Sequence, residues 1–290
     1  MNSLIKRFLI ILIVLLIYFK CFELHSKNLN FTNNIHQQIP WSIKLSKKYV
    51  ENNRGGESVR IAIIDSGIDG THPDLVGKVK KGLNTIGTGG EQEDSLGHGT
   101  AVAGIITAND NEVGLVGITQ NVELYPVKIL DSTGKGSIKN FVKAVQWCID
   151  NKIDVINASF GLMKDDPSVK KIIDKAIQKN IIIVAAVGNK YGRKMDYPAA
   201  YENVFSVTAV DKHKKVAEFS SKGNYDFAAP GVDIPVLRPH NDYAIESGTS
   251  LASAHITGVV SLILQYRERF NINSEENLNQ QIYKILKKWY

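Results

Sequence analysis

The sequence predicts an α/β fold in three layers, a central and mostly parallel β-sheet with helices on both faces. Five short apolar runs rich in β-branched residues, at 59–64, 124–129, 155–158, 181–185 and 204–210, have the length and character of strands buried on both sides. Between them apolar residues recur at helical spacing: Phe141, Ala144, Val145, Cys148 and Ile149, then Val169, Ile172, Ile173, Ala176 and Ile177. Strand alternating with helix requires a crossover at each step, which pairs neighbouring strands in parallel. Sheets of this kind bind ligands outside the carboxyl ends of their strands, and Asp65 stands at such an end.

At the amino end, Lys6 and Arg7 precede an unbroken apolar run at 8–19 that Lys20 closes. The run has the length of an export-signal core and is short for a membrane span. Residues 1–20 are therefore expected to be a signal peptide or membrane anchor, with membrane association through 4–22 and Lys6 and Arg7 on the inner side. No small-x-small cleavage site follows, so a retained segment is the expectation. Residues 21–36 are polar and asparagine-rich and read as a tether. The folded domain is assigned to 37–290. Ser274, Glu275 and Glu276 would start its last amphipathic helix, which carries Leu278, Ile282, Ile285 and Leu286.

A chain of 290 residues that is 43% hydrophobic and 22% charged can bury one sizeable core. The net charge of +6 comes from scattered lysines with no nucleic-acid motif beside them, so a solvated basic surface is expected and nucleic acid is excluded as a partner. Cys21 and Cys148 are the two cysteines, one beside the apolar head and one on a helical face, and no disulfide is expected between them.

Three motifs carry the chemistry. GTSLASAHITG, at 248–258, puts Ser250 in the first turn of an apolar, small-residue helix, where outward N–H groups and the helix dipole favour negative charge. RIAIIDSGIDGTHPDL, at 60–75, ends a strand in Asp65 and a glycine turn, and DSLGHGTAVAGII, at 94–106, sets His98 between Gly97 and Gly99 at a helix start. Alone, each has a plain structural reading: a cap serine, a turn aspartate, a structural histidine. Together they can form a chain in which a carboxylate orients an imidazole and the imidazole takes the serine proton.

In the order Asp65, His98, Ser250, these motifs resemble the subtilisin family over about 37–265. The resemblance implies a three-layer subtilisin-like fold and a serine endopeptidase working through an acyl-enzyme. Asn189, which ends IIIVAAVGN, would supply the side-chain donor of the oxyanion site. In NASFG, Ser159, Phe160 and Gly161 would pair with an extended peptide, opposite an edge formed by Lys135, Gly136 and Ser137. Asp196, before Tyr197 and Pro198, would floor the primary specificity pocket and favour Lys or Arg before the scissile bond, while Lys190 could neutralise it or repel a basic side chain. Gln37, Asp74 and Asn111 through side chains, and Asn109, Val113 and Leu115 through carbonyls, line up with a structural Ca²⁺ site. The chain departs from the family at Leu251, where Met is usual, and at Ala254, where Pro is usual. Neither change touches the Ser250 hydroxyl.

The stretch before residue 37 is too short for the folded propeptide domain that most secreted members carry. That and the acidic pocket lead to the expectation of a processing peptidase, extracellular or anchored to the outer membrane face, acting on a polypeptide such as a lantibiotic leader. Leu251 is shared with leader peptidases of that type. A general degradative extracellular protease is the alternative. An inactive binding module would lack a member of the Asp-His-Ser set, and a phosphate site at Asp65-Ser66-Gly67 would need a glycine-rich nucleotide loop; neither condition holds. A monomer is expected.

Overall fold

The computed structural model of the protein describes residues 27–28, 36–47, 56–87, 89–273 and 277–290. The apolar head and most of the segment read as a tether lie outside these residues. Seven parallel strands form the main sheet in the order β3-β4-β2-β5-β6-β7-β8. They are β2 (Val59–Asp65), β3 (Leu83–Asn84), β4 (Val122–Lys128), β5 (Val155–Ala158), β6 (Ile182–Ala186), β7 (Phe205–Val210) and β8 (Phe227–Pro230). The chain enters this sheet at β2, adds β3 and β4 on one side and β5 to β8 on the other. The strand order therefore reverses at β2, whose carboxyl end is Asp65, and such a reversal opens a crevice above the sheet.

Alternation along the strands separates two cores. Ile61, Ile63, Leu124, Val155, Ile182 and Val184 face one side, together with helices α2 (His98–Thr107) and α5 (Thr249–Gln265). Ala62, Ile64, Ile156, Ala158, Ile183 and Ala185 face the other, with α3 (Ile138–Asp150) and α4 (Pro167–Gln178). Every residue of α5 is buried. Its Ser253, Thr257 and Ser261 hydroxyls donate to carbonyls three or four residues back, so a helix enclosed on all sides leaves these polar groups paired. Short helices α1 (Trp41–Lys47) and α6 (Leu278–Leu286) pack near its far end. Helix α6 starts at Asn277, whose side chain accepts from Gln280 N, rather than at Ser274; residues 274–276 lie outside those described.

A second, antiparallel sheet pairs β1 (Lys27–Asn28), β10 (Asp242–Glu246) and β9 (Ile234–Arg238). Strands β8 to β10 carry weak signals, alanine in one and Pro235 inside another, and the sequence reading passed over them. Cys148 is a buried thiol on α3, and Cys21 lies outside the described residues.

The caps divide the helices by role. Ser137 caps α3 by accepting from Asn140 N, and Asp166 caps α4 by accepting from Ser168 N and Val169 N. Helices α2 and α5 begin instead after Gly97 and Gly248, with no capping side chain of their own. These are the two helices that bear His98 and Ser250.

Phe141 joins the fold to the crevice. It is fully buried, and its ring meets that of Phe160 edge-on, with centroids 5.1 Å apart at 74°. Phe141→Ala should lower stability by about 3–5 kcal/mol, the scale of deleting a core aromatic, measured by the denaturant midpoint at unchanged slope.

Candidate active site

Asp65 ends β2 with no exposed surface. Burying a carboxylate is costly unless its oxygens are occupied, and here they are. Oδ1 accepts from Ser66 N at 2.7 Å, and His98 Nδ1 stands 2.8 and 2.9 Å from the two oxygens; Ser66 Oγ lies 3.1 Å from Oδ1 but gives its one proton to Asp94. An ionised carboxylate can only accept, so Nδ1 carries the proton and Nε2 is left as the basic nitrogen. The turn after β2 and the start of α2 touch so closely that a β-carbon on Gly99 would fall on the Gly67 carbonyl.

Asp94 holds that contact together. Its carboxylate accepts from Gly97 N and Thr100 N, both at 2.8 Å, from Thr100 Oγ1 at 2.6 Å, and from Ser66 Oγ at 2.7 Å. It thus caps α2 from outside the helix. Sequence reading gave Asp94 no role, although an acid followed by Thr at the head of a helix is a capping signal. Burial disfavours the charged form of His98, but Asp65 outweighs it, with Glu246 and Asp94 adding to the pull, and the pKa rises to about 9.

Ser250 Oγ donates to Ser159 O at 3.0 Å, so the hydroxyl sits against the strand end that the sequence assigned to peptide binding. A buried network fixes that carbonyl. Asn157 donates to Thr257 Oγ1 at 2.8 Å and to Ser253 Oγ at 3.3 Å, and accepts from Ser159 Oγ. Asn189 Oδ1 accepts from Thr249 N at 3.0 Å and Thr249 Oγ1 at 2.9 Å. A backbone N–H can only donate, which assigns the amide and turns Nδ2 the other way. A β-carbon built on Gly248 would lie 3.4 Å from Asn189 Nδ2 and 3.9 Å from Ser250 N. Two N–H donors therefore flank the space that this glycine leaves open, and such a place can stabilise a developing oxyanion.

Ser159, Phe160 and Gly161 follow β5, beside Leu162, which exchanges backbone hydrogen bonds with Tyr197. Gly136 packs on Ile129 and Leu130, whose N–H groups both donate to Asp65 O, so its loop borders the same strand end. Asp196 is 4% exposed. Its Oδ2 lies where β-carbons on Gly161 or Gly188 would point, which places the carboxylate directly beneath these two glycines. Lys190 Nζ bonds its other oxygen, Oδ1. Burial pushes the Asp196 pKa up and Lys190 pulls against it, leaving a net rise. Of the two possibilities the sequence left open for Lys190, neutralisation is the one found.

The six residues aligned with a metal site also come together. Asp74 is buried; Oδ2 accepts from Leu115 N at 2.9 Å and Tyr243 OH at 3.2 Å, while Oδ1 has no hydrogen-bond partner among the described residues. Gln37 Nε2 donates to Asn109 O at 2.9 Å, Asn109 N donates to Asp74 O, and Val113 N donates to Asn111 Oδ1 at 3.3 Å. Tyr243 was missed because it lies far from Asp74 in sequence. Among the described residues no three His, Cys, Asp or Glu side chains cluster as metal ligands, so an ion here would draw mainly on amide and carbonyl oxygens.

The imidazole offers a direct check. In the wild type the His98 ring should titrate near pH 9 by NMR. In Asp65→Asn, burial would act with only weaker carboxylate help, and the midpoint should fall by several units. The raised folded-state value also means that this pair stabilises the fold below the ordinary histidine pKa, and that the contribution is lost as pH rises through 9.

Comparison with known proteins agrees with the geometry. A family model described as Subtilase family matches residues 56–284. Subtilisin DY of Bacillus licheniformis is 39% identical over 235 residues, covering 79% of this chain and 85% of that protein. Thermostable alkaline protease of Halalkalibacterium halodurans is 35% identical over 250 residues, 85% of this chain and 68% of that protein. Subtilisin E of Bacillus subtilis is 38% identical over 236 residues, 79% of this chain, and the chain spans 61% of that protein's length. The chain belongs to the subtilase family of serine endopeptidases.

Proposed function

We propose that Ser250 is the nucleophile of this endopeptidase and that Asp65, His98 and Asn189 serve it. The observation that carries the reading is the pair of N–H donors, Asn189 Nδ2 and Ser250 N, flanking the open space at Gly248. His98 Nε2 takes the Ser250 Oγ proton as Oγ bonds to the peptide carbonyl carbon. The carbonyl oxygen becomes an oxyanion between the two donors. His98 then passes the proton to the leaving amine as the C–N bond breaks, and water repeats the sequence on the acyl-enzyme. Asp65 holds the imidazole in the productive tautomer throughout. The substrate lies as an added strand along Ser159, Phe160 and Gly161, with Gly136 on the opposite edge.

Asp196 supports a preference for Lys or Arg before the scissile bond, through a charge-assisted pair beneath Gly161 and Gly188. Its bond to Lys190 means that a basic side chain must displace an ammonium already in place. That competitor counts against the basic preference, and the buried carboxylate counts for it. We read the protein as a processing peptidase at the outer face of the cell membrane, removing the leader of a secreted peptide such as a lantibiotic, with Leu251 as the resemblance that favours this type. Ser250→Ala should lower peptide hydrolysis by several orders of magnitude and abolish fluorophosphonate labelling, and Asn189→Ala should cost roughly a hundred- to a thousandfold in kcat. Cleavage of a peptide library mainly after Leu, Phe or Tyr, with rapid unselective casein digestion, would favour the degradative alternative.

Gln37, Asp74, Asn109, Asn111, Val113 and Leu115 fit a structural Ca²⁺. The unpartnered Asp74 Oδ1 is the buried oxygen that a hard cation would satisfy. The ion would neutralise Asp74 and fasten the 109–115 loop to the strand-end turn that Asp74 belongs to. Chelation should then lower the melting temperature of the wild type, and Asp74→Ala should remove the difference between chelated and calcium-loaded protein.

A further inference from the structure

Beside the residues already assigned, one largely buried ion pair lies between the turn before His98 and the strand that leads to Ser250. Arg238, at the end of β9, donates from Nη1 to Leu96 O at 3.1 Å, two residues before His98. Its Nε stands 2.7 Å from Glu246 Oε1, at the end of β10 and four residues before Ser250. Glu246 is 7% exposed, and the contact is a close ion pair rather than an aligned hydrogen bond. The turn before His98 rests on the guanidinium. Gly97 has φ +79°, and a β-carbon there would lie 2.6 Å from Arg238 Nη1 and 3.1 Å from Pro239 Cδ.

We propose that Arg238 is a positioning residue, a clamp that sets the His98 loop against the strand leading to Ser250. The inference rests on the reading of Ser250 and His98 as nucleophile and base. Packing of α2 on α5 brings the two helices together, and polar contacts act on their first turns as well. His98 is otherwise tied towards β2, through Asp65, and its helix start through Asp94 and Ser66. Ser250 is tied towards β5 and, through Thr249, towards Asn189. Arg238 joins the Leu96 carbonyl, before His98, to Glu246, four residues before Ser250. A guanidinium suits the task because its N–H groups point in fixed, diverging directions; a lysine ammonium is a single point charge on a flexible stem.

The pair also belongs to the charges around His98. The carboxylates acting on the imidazole are Asp65, Glu246 and Asp94, and Arg238 is the cation that holds Glu246. Glu246 favours the imidazolium, so Glu246→Gln should leave a weaker base that is neutral at lower pH. A residue that merely stabilised the fold would move neither the pH dependence nor kcat at saturating substrate.

The test uses Arg238→Met, Arg238→Lys and Glu246→Gln in the full chain, with peptide hydrolysis, fluorophosphonate labelling rate and melting temperature measured on each. Arg238→Met should lower kcat roughly ten- to a hundredfold, as expected for misplaced catalytic groups, with KM little changed and labelling slowed in parallel. Arg238→Lys should restore only part of the loss. Glu246→Gln should shift the acid limb of the kcat/KM profile downward by on the order of half a pH unit, the scale of one nearby charge at an effective dielectric near 20 or above. Wild-type kcat in folded Arg238→Met overturns the proposal, whatever its melting temperature. If that variant does not fold, wild-type kcat in folded Arg238→Lys overturns it. Retained hydrolysis in Ser250→Ala would instead sink the assignment on which the clamp depends.

Discussion

A carboxylate with no exposed surface closes the strand at which the sheet order reverses, and the crevice is arranged around keeping its oxygens bonded. Asp65 holds His98 through both oxygens, and the Ser66 backbone N–H supplies a further donor. Removing any one of these would leave an uncompensated group in the interior, which costs more than the bond itself contributes. The location follows from topology, since the strand order reverses at β2 and opens the sheet there. Because the sheet is parallel, the carboxyl ends of β5 and β6 arrive at the same rim with Ser159 and Asn189 close behind them.

Much of this was legible in the sequence because it depends on local rules. Buried parallel strands read as β-branched runs, and 59–64 and 155–158 fall within β2 and on β5 almost without adjustment. The amphipathic spacing of 141–149 and 169–177 likewise marks α3 and α4. Strands β8 to β10 were not legible, because alanine and proline obscure the pattern and their pairing is decided by tertiary neighbours. For the same reason Asp94 drew no role from the sequence, since its partners Ser66 and Thr100 come from two different elements. The Tyr243 hydroxyl on Asp74 has no sequence signature at all; the residues are brought together by the second sheet. Lys190 and Asp196 are close enough in the chain that their pairing could be foreseen, but not that Asp196 would lie beneath both Gly161 and Gly188.

The helix caps separate structure from chemistry. Where a helix only supports the sheet, a side chain closes its first turn, as Ser137 and Asp166 do. Where a helix presents a reactive group, the cap is glycine. At α2 the freed N–H groups are taken up by Asp94, which fixes His98 without crowding it. At α5 the glycine leaves room beside Ser250 N and Asn189 Nδ2. The same device, omission of a side chain, thus serves once for close approach and once for an opening.

Helix α5 carries a different consequence. Its full length is enclosed, its Ser253, Thr257 and Ser261 hydroxyls are bonded to its own carbonyls, and Ser250 is its second residue. Freeing the turn that carries this serine would also uncover Leu251 and Ala252, which belong to the larger core. Catalytic power and the integrity of the interior are thereby made a single cooperative property. Residual turnover in a heated or denaturant-treated sample becomes a count of intact molecules, rather than a graded measure of partly loosened ones.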